Sequence, residues 1–153
     1  MPMRYDITPP ITPELKVWPG DTPPSREVLL DMDRGDPITL STLRATAHLG
    51  AHADAPSHYG SNAPSIDEIE LSVYIGMCQV ISVPVGRGGR VGIEDVKGTL
   101  KAERILLGTG TYPDPAIFNR DFAGLDPDLV DHLAAAGVRL VGIDTPSVDP
   151  FGS

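Results

Sequence analysis

Apolar residues in this chain come in short clusters separated by glycine, proline and small polar residues, and the clusters change period along the chain. Glu27 to Asp31 and Pro37 to Ala47 read as strands: Ile38 and Leu40 alternate with Thr39 and Ser41, although Leu43 breaks the period. Ser65 followed by Glu68 has the form of a capping box, which predicts a short helix near 66–71. Residues 77–85 are an apolar run expected as a strand with both faces covered. The last third is the most regular. Ile105, Leu106 and Leu107 mark a buried strand over 104–110; Asp126 then caps, Pro127 takes the first helical position, and Leu129, Val130, Leu133 and Ala134 form a stripe ending at Gly137. Val138 to Ile143 is a further apolar strand. Strand, helix, strand at these lengths predicts a parallel crossover and places the chain in the mixed α/β class.

Proline dominates the other end. It stands at 2, 9, 10, 13, 19, 23 and 24, so residues 1–24 are expected as an extended arm rather than helix or central strand. The 16 glycines and 16 prolines are about twice the usual share, consistent with many turns. With 153 residues and no internal repeat or linker, the chain reads as a single domain over 1–153, able to bury about 70% of its unfolded surface.

Charge and cysteine narrow the function. Twelve Lys and Arg against 21 Asp and Glu give a net charge of −9, a field that repels a phosphate backbone, so nucleic acid is not an expected partner. One cysteine, Cys78, can make neither an intrachain disulfide nor a Cys-rich zinc site, and its apolar neighbours predict a buried, inert thiol. The first residues lack the apolar core of a secretory signal, and the uncharged stretch 71–86 is too short and polar to span a membrane, so a cytoplasmic location is expected.

The chemistry concentrates in one segment. Three of the four histidines fall in His48-Leu-Gly-Ala-His52-Ala-Asp54-Ala-Pro-Ser-His58. Imidazole and carboxylate are the usual ligands of zinc and related ions, and the small residues between them leave room for side chains to converge. On an extended strand His48 and His52 would lie about 13 Å apart, too far for one ion. A bend at Gly50 resolves this, after which His52 and Asp54 point the same way. His132, on the predicted helix, reads as a bystander. Ser61 has no nucleophile elbow around it, Gly86 to Val91 fails the dinucleotide fingerprint, and no phosphate loop is present, which leaves a metal-activated water as the nucleophile.

The segment His48 to His58 resembles the His-x-Gly-Thr-His-x-Asp-x-Pro-x-His signature of the cyclase family of metal-dependent hydrolases, with Ala51 where threonine is common. Val17-Trp18-Pro19-Gly20-Asp21-Thr22-Pro23, Ser65 to Glu68 and Gly142-Ile143-Asp144-Thr145-Pro146-Ser147 resemble three further family motifs, in the family's order. The tryptophan-bearing arm is similar to that of the formamidase branch. The resemblance implies a swivelling β/β/α-type fold, a homodimer and a site with two metal ions, usually zinc, with manganese or cobalt also compatible with the ligands. It implies hydrolysis of N-formyl-L-kynurenine to L-kynurenine and formate in tryptophan degradation. Carried over residue by residue, His48 and His52 become ligands of the first metal, Asp54 the bridging carboxylate, His58 the acid/base residue and Trp18 a substrate contact, or else a staple holding the arm to the core. It also implies a continuation beyond Ser153 that supplies another histidine and a glutamate, so the 153 residues are expected to lack the family's C-terminal portion. Rival readings are a cyclase-family hydrolase of another amide, such as isatin, and a metal-binding module without turnover.

Overall fold

Seven strands and one α-helix make up the regular structure of residues 5–153, which the computed structural model describes. Met1 to Arg4, including Pro2 of the expected arm and the start of the expected leader-free terminus, lie outside the described residues. The chain divides into two compact units, the first taking in Met1–Asp54 and Asp114–Phe118, the second Ala55–Pro113 and Asn119–Ser153.

The first unit is built on one antiparallel pair, β1 (Ser25–Leu30) and β2 (Leu40–Arg44), whose register slips between Val28 and Leu30. Among its described residues, 5–24, the proline-rich arm has no helix or strand, as its prolines require. It is tied down by Leu15, which is buried, and by the N–H of Lys16, which donates to the carbonyl of Pro115 at 3.0 Å.

The second unit contains a parallel sheet in the order β3 (Gln79–Ser82), β5 (Arg104–Gly108), β7 (Leu140–Ile143), and a short parallel pair, β4 (Arg90–Val91) with β6 (Gly124–Leu125). Helix α1 (Pro127–Ala135) lies between β5 and β7 in the chain, directly after β6, so the expected strand, helix, strand crossover is present, and its two strands, β5 and β7, are parallel neighbours. The Asp126 carboxylate accepts from the N–H of Asp128 at 2.9 Å, and Pro127 opens the helix. Gly137, at φ +85°, lets the chain leave while the Val138 N–H returns to the carbonyl of Leu133 at 3.0 Å. Leu129 and Leu133 pack with Val83, Val91, Ile105, Leu107 and Leu125 into one apolar cluster; Val130 and Ala134 face outward, so the helix buries a narrower stripe than its sequence suggested.

Three other expectations are corrected. The apolar run 77–85 does not bury both faces: Ile81 packs against the cluster and Val83 lies in it, but Met77 and Val80 are 70% and 68% exposed. Cys78, with the outward parity of Val80 and Ser82, is exposed rather than buried. The expected helix near 66–71 is a single 3-10 turn over Ile66–Glu68 followed by another over Leu71–Val73, although its capping box forms, with the Glu68 carboxylate accepting from the N–H of Ser65 at 2.8 Å. The short pair β4 and β6 carries no sequence pattern and was not expected. The overall class is mixed α/β, as expected. Among the described residues no helix is long and apolar enough to cross a membrane.

Candidate metal centre

The loop that follows β2 brings two imidazoles onto one carboxylate. Gly50 has φ +63°, a left-handed conformation that places the expected bend between the histidines and draws their ring centroids to 5.0 Å. The Nδ1 of His48 lies 2.9 Å from Oδ1 of Asp54, and the Nε2 of His52 lies 3.6 Å from the same oxygen. Two ligands bound at about 2.1 Å to a tetrahedral ion stand about 3.4 Å apart, so these separations suit a shared metal. The donor set, nitrogen and carboxylate oxygen, is also that of a zinc-type site.

One tautomer is set by the backbone. The Nδ1 of His52 is 2.9 Å from the carbonyl of Gly50, which can only accept, so Nδ1 donates there and Nε2, on the Asp54 side, is the nitrogen left for an ion. The side chains of His48, His52 and Asp54 retain 37%, 23% and 30% of full exposure, enough for water or an ion to reach them.

The arm supplies the neighbouring geometry. Trp18-Pro19-Gly20-Asp21 is a tight turn with Gly20 at φ +97° and the Asp21 N–H donating to the Trp18 carbonyl at 2.9 Å, the Pro-Gly arrangement of a type II turn. The Trp18 ring meets Phe118 edge-on at 5.7 Å and stays 38% exposed, so it both pins the arm and presents an apolar surface. The Asp21 carboxyl is held below the ordinary carboxylate range, first by a hydrogen bond from the Thr46 hydroxyl, then by the Thr22 N–H at 2.7 Å, with His48 nearby as a smaller favourable influence.

Residues 5–150 match the Cyclase family model, described as "Putative cyclase". The chain belongs to the Cyclase family. It is similar to a solved structure described as a predicted metal-dependent hydrolase from Bacillus stearothermophilus, at 25% identity and a TM-score of 0.74, with 95% of this chain and 70% of that one covered. A second structure, described as a potential metal-dependent hydrolase with cyclase activity, shares the fold at 22% identity and a TM-score of 0.76 over 95% and 69%.

In this Cyclase-family chain His48, Asp54 and His58 each offer a ligand atom suited to a divalent ion. His58 belongs to the second unit, at the end of the 3-10 turn Pro56–His58, with its N–H donating to the Ala55 carbonyl at 2.9 Å and its ring edge-on to Tyr59 at 4.7 Å. His132 is exposed in the last turn of α1, where a cation complements the helix dipole. Two residues escaped assignment from sequence. Asp144, just past β7, accepts from the N–H groups of Thr109 and Gly110 at 2.9 and 2.8 Å and from the Thr109 hydroxyl at 2.7 Å, fixing the loop after β5. Asp21 lies in a recognised motif, but its link to Thr46 requires β2 and the arm to be folded together.

Proposed function

We propose that this Cyclase-family chain is the metal-binding part of a metal-dependent amide hydrolase, and that its substrate is N-formyl-L-kynurenine. The reading rests above all on one observation: nitrogens of His48 and His52 lie 2.9 and 3.6 Å from a single Asp54 oxygen, spaced like ligands of one ion. The descriptions of both solved neighbours as metal-dependent hydrolases support it.

His48, His52 and Asp54 would hold the ion, the His52 ring with an orientation that the Gly50 carbonyl sets in advance. A bound divalent ion supplies a hydroxide-like nucleophile near neutral pH and polarises the formyl oxygen. In the overall reaction water adds across the formyl C–N bond, giving formate and the aryl amine. His58 delivers the proton to the departing aniline nitrogen, and Trp18 offers an apolar face to the aryl ring. Zinc, two ions per subunit, a homodimer and a cytoplasmic location belong to the same proposal.

The test pairs metal analysis with an N-formylkynurenine assay before and after chelation. Formate release should fall to background without metal and return with zinc. As an acid/base residue, His58 replaced by alanine (His58→Ala) should leave metal in place and lose about 10²- to 10⁴-fold in turnover, whereas loss of metal would make His58 a ligand instead. Metal-loaded protein that leaves N-formylkynurenine intact while opening isatin would move the substrate to a cyclic amide. Protein that takes up metal but turns over neither would be a binding module.

A further inference from the structure

Two short stretches of chain in the first unit are tied together at both ends. The Thr46 N–H donates to the carbonyl of Thr22 at 3.0 Å, and a Cβ at Gly50 would stand 3.5 Å from Cδ2 of the buried Leu15, an ordinary van der Waals contact. His48 lies between Thr46 and Gly50, and Trp18 lies between Leu15 and Thr22. Four residues of extended chain span at most about 13 Å, so Trp18 and His48 share one small patch. The arm covers this distance in more residues than the loop does, and the turn that begins at Trp18 takes up the surplus.

Phe118 reaches the same patch from far along the sequence. Its segment, Asp114–Phe118, belongs to the first unit and is fastened there by the N–H of Lys16, which donates to the Pro115 carbonyl at 3.0 Å. Asp114 turns the segment, its carboxylate accepting from the Ala116 N–H at 2.9 Å and its carbonyl from the Ile117 N–H at 3.1 Å. The half-buried Phe118 ring then meets the indole of Trp18 at 5.7 Å with the planes 84° apart, which favours one orientation of an indole that stays 38% exposed. Phe118 lies outside all four family motifs.

We propose that Phe118 is a positioning residue for Trp18: its ring holds the indole in the plane that receives a flat aryl group, and so favours aryl formamides over aliphatic ones. This rests on the formamidase reading and on Trp18 as its aryl-binding face. An indole left free to turn would have to be ordered at each binding event, which weakens binding about 2- to 10-fold. The effect falls on binding, since the metal ligands and His58 act on the formyl group.

Trp18 is the only tryptophan of the chain, so indole fluorescence reports on it alone. The experiment combines acrylamide quenching of that fluorescence with steady-state kinetics of the full, zinc-loaded chain on N-formylkynurenine. Phe118→Leu should leave Trp18 more easily quenched and raise KM about 3- to 10-fold, with kcat within about 2-fold and zinc content unchanged. Phe118→Met, closer in length, should give the same changes, whereas Phe118→Tyr keeps the ring and should match the unaltered chain. Trp18→Leu should raise KM at least as far as Phe118→Leu, and the double variant should be no worse than Trp18→Leu alone, because the second ring acts through the first. Competitive inhibition by N-cyclohexylformamide, which has no flat ring, should stay within about 2-fold in Phe118→Leu. An unchanged KM despite altered quenching would make the pair only a staple of the arm. Unchanged quenching, no rescue by Phe118→Tyr, additive losses in the double variant, or equal weakening of N-cyclohexylformamide would each overturn the proposal as well. No hydrolysis of N-formylkynurenine by the unaltered zinc-loaded chain would instead sink the formamidase reading, and with it the substrate assigned to this pair of rings.

Discussion

The two units hold themselves together by different means. In the second, seven buried apolar side chains from β4, β5, β6, α1 and the segment after β3 form a continuous cluster, flanked by Ile81, Val141 and Ile143. In the first, Leu15 is the one hydrophobic side chain of the buried core among the described residues, and β1 and β2 carry Leu29, Leu40 and Leu43 exposed. That unit relies on turns, backbone pairing and side-chain to backbone bonds such as those around Asp21 and Thr46. It also holds His48, His52 and Asp54. Apolar burial resists unfolding but offers nothing to a metal, whereas polar, partly wet loops supply ligands at the cost of little intrinsic stability. Stability and chemistry are therefore expected to respond to different substitutions.

The largest expected effect tests the apolar cluster. Leu129→Ala removes a fully buried side chain from α1 and should cost about 2–5 kcal/mol in denaturant unfolding, while Leu43→Ala, on the exposed face of β2, should stay within about 0.5 kcal/mol. Equal effects would erase the contrast between the units. A substitution in the metal loop should behave in the opposite way: His52→Ala should lower zinc affinity by at least about 10-fold, yet leave the melting temperature of metal-free protein nearly unchanged, because His52 lies outside the buried apolar cluster. A large drop in metal-free melting would show that the loop carries structure as well as ligands.

The smallest expected effect lies in acid. Each unit has an exposed carboxylate held below its ordinary value of 3.8: Asp21 by Thr46, and Asp121 chiefly by the side-chain amide of Asn119, with the Arg87 charge adding to it. A depressed carboxylate stabilises the fold above its unfolded value and loses that contribution as pH falls through its folded value. Asp121→Asn should therefore melt slightly below the unaltered chain at neutral pH, and the two curves should converge below about pH 4. A difference that grows in acid would reverse the sign assigned to this group.

Much of the second unit was legible because its signals are local. Asp126, Pro127 and Gly137 mark both ends of α1 through capping geometry that only a few neighbouring residues determine, and the apolar runs at 104–108 and 140–143 are typical of strands in a parallel sheet. The outward face of β3 was not legible: Val80 and Cys78 have the composition of buried residues, and only the side on which α1 packs decides which parity faces the cluster. The pair β4 and β6 has two residues in each strand, too short for any period to register.

The same division runs through the site. His48, His52 and Asp54 could be named from composition and spacing, and Gly50 as the bend, because ligand type and reach along eleven residues are properties of the covalent chain. Which histidine nitrogen faces Asp54, and that the Gly50 carbonyl fixes the His52 tautomer, depend on dihedral angles that the sequence leaves open. The bond from the Thr46 N–H to the Thr22 carbonyl exists only once the arm lies beside the end of β2. By itself the sequence determined the family, the candidate ligands and the ends of the helix, all local or compositional matters. Only the tertiary structure decided the buried face of β3 and the docking of the arm beside the end of β2, because each is set by groups far apart in the chain that meet through folding; the His52 ring contact with the Gly50 carbonyl is local, but depends on backbone angles that the residue types leave open.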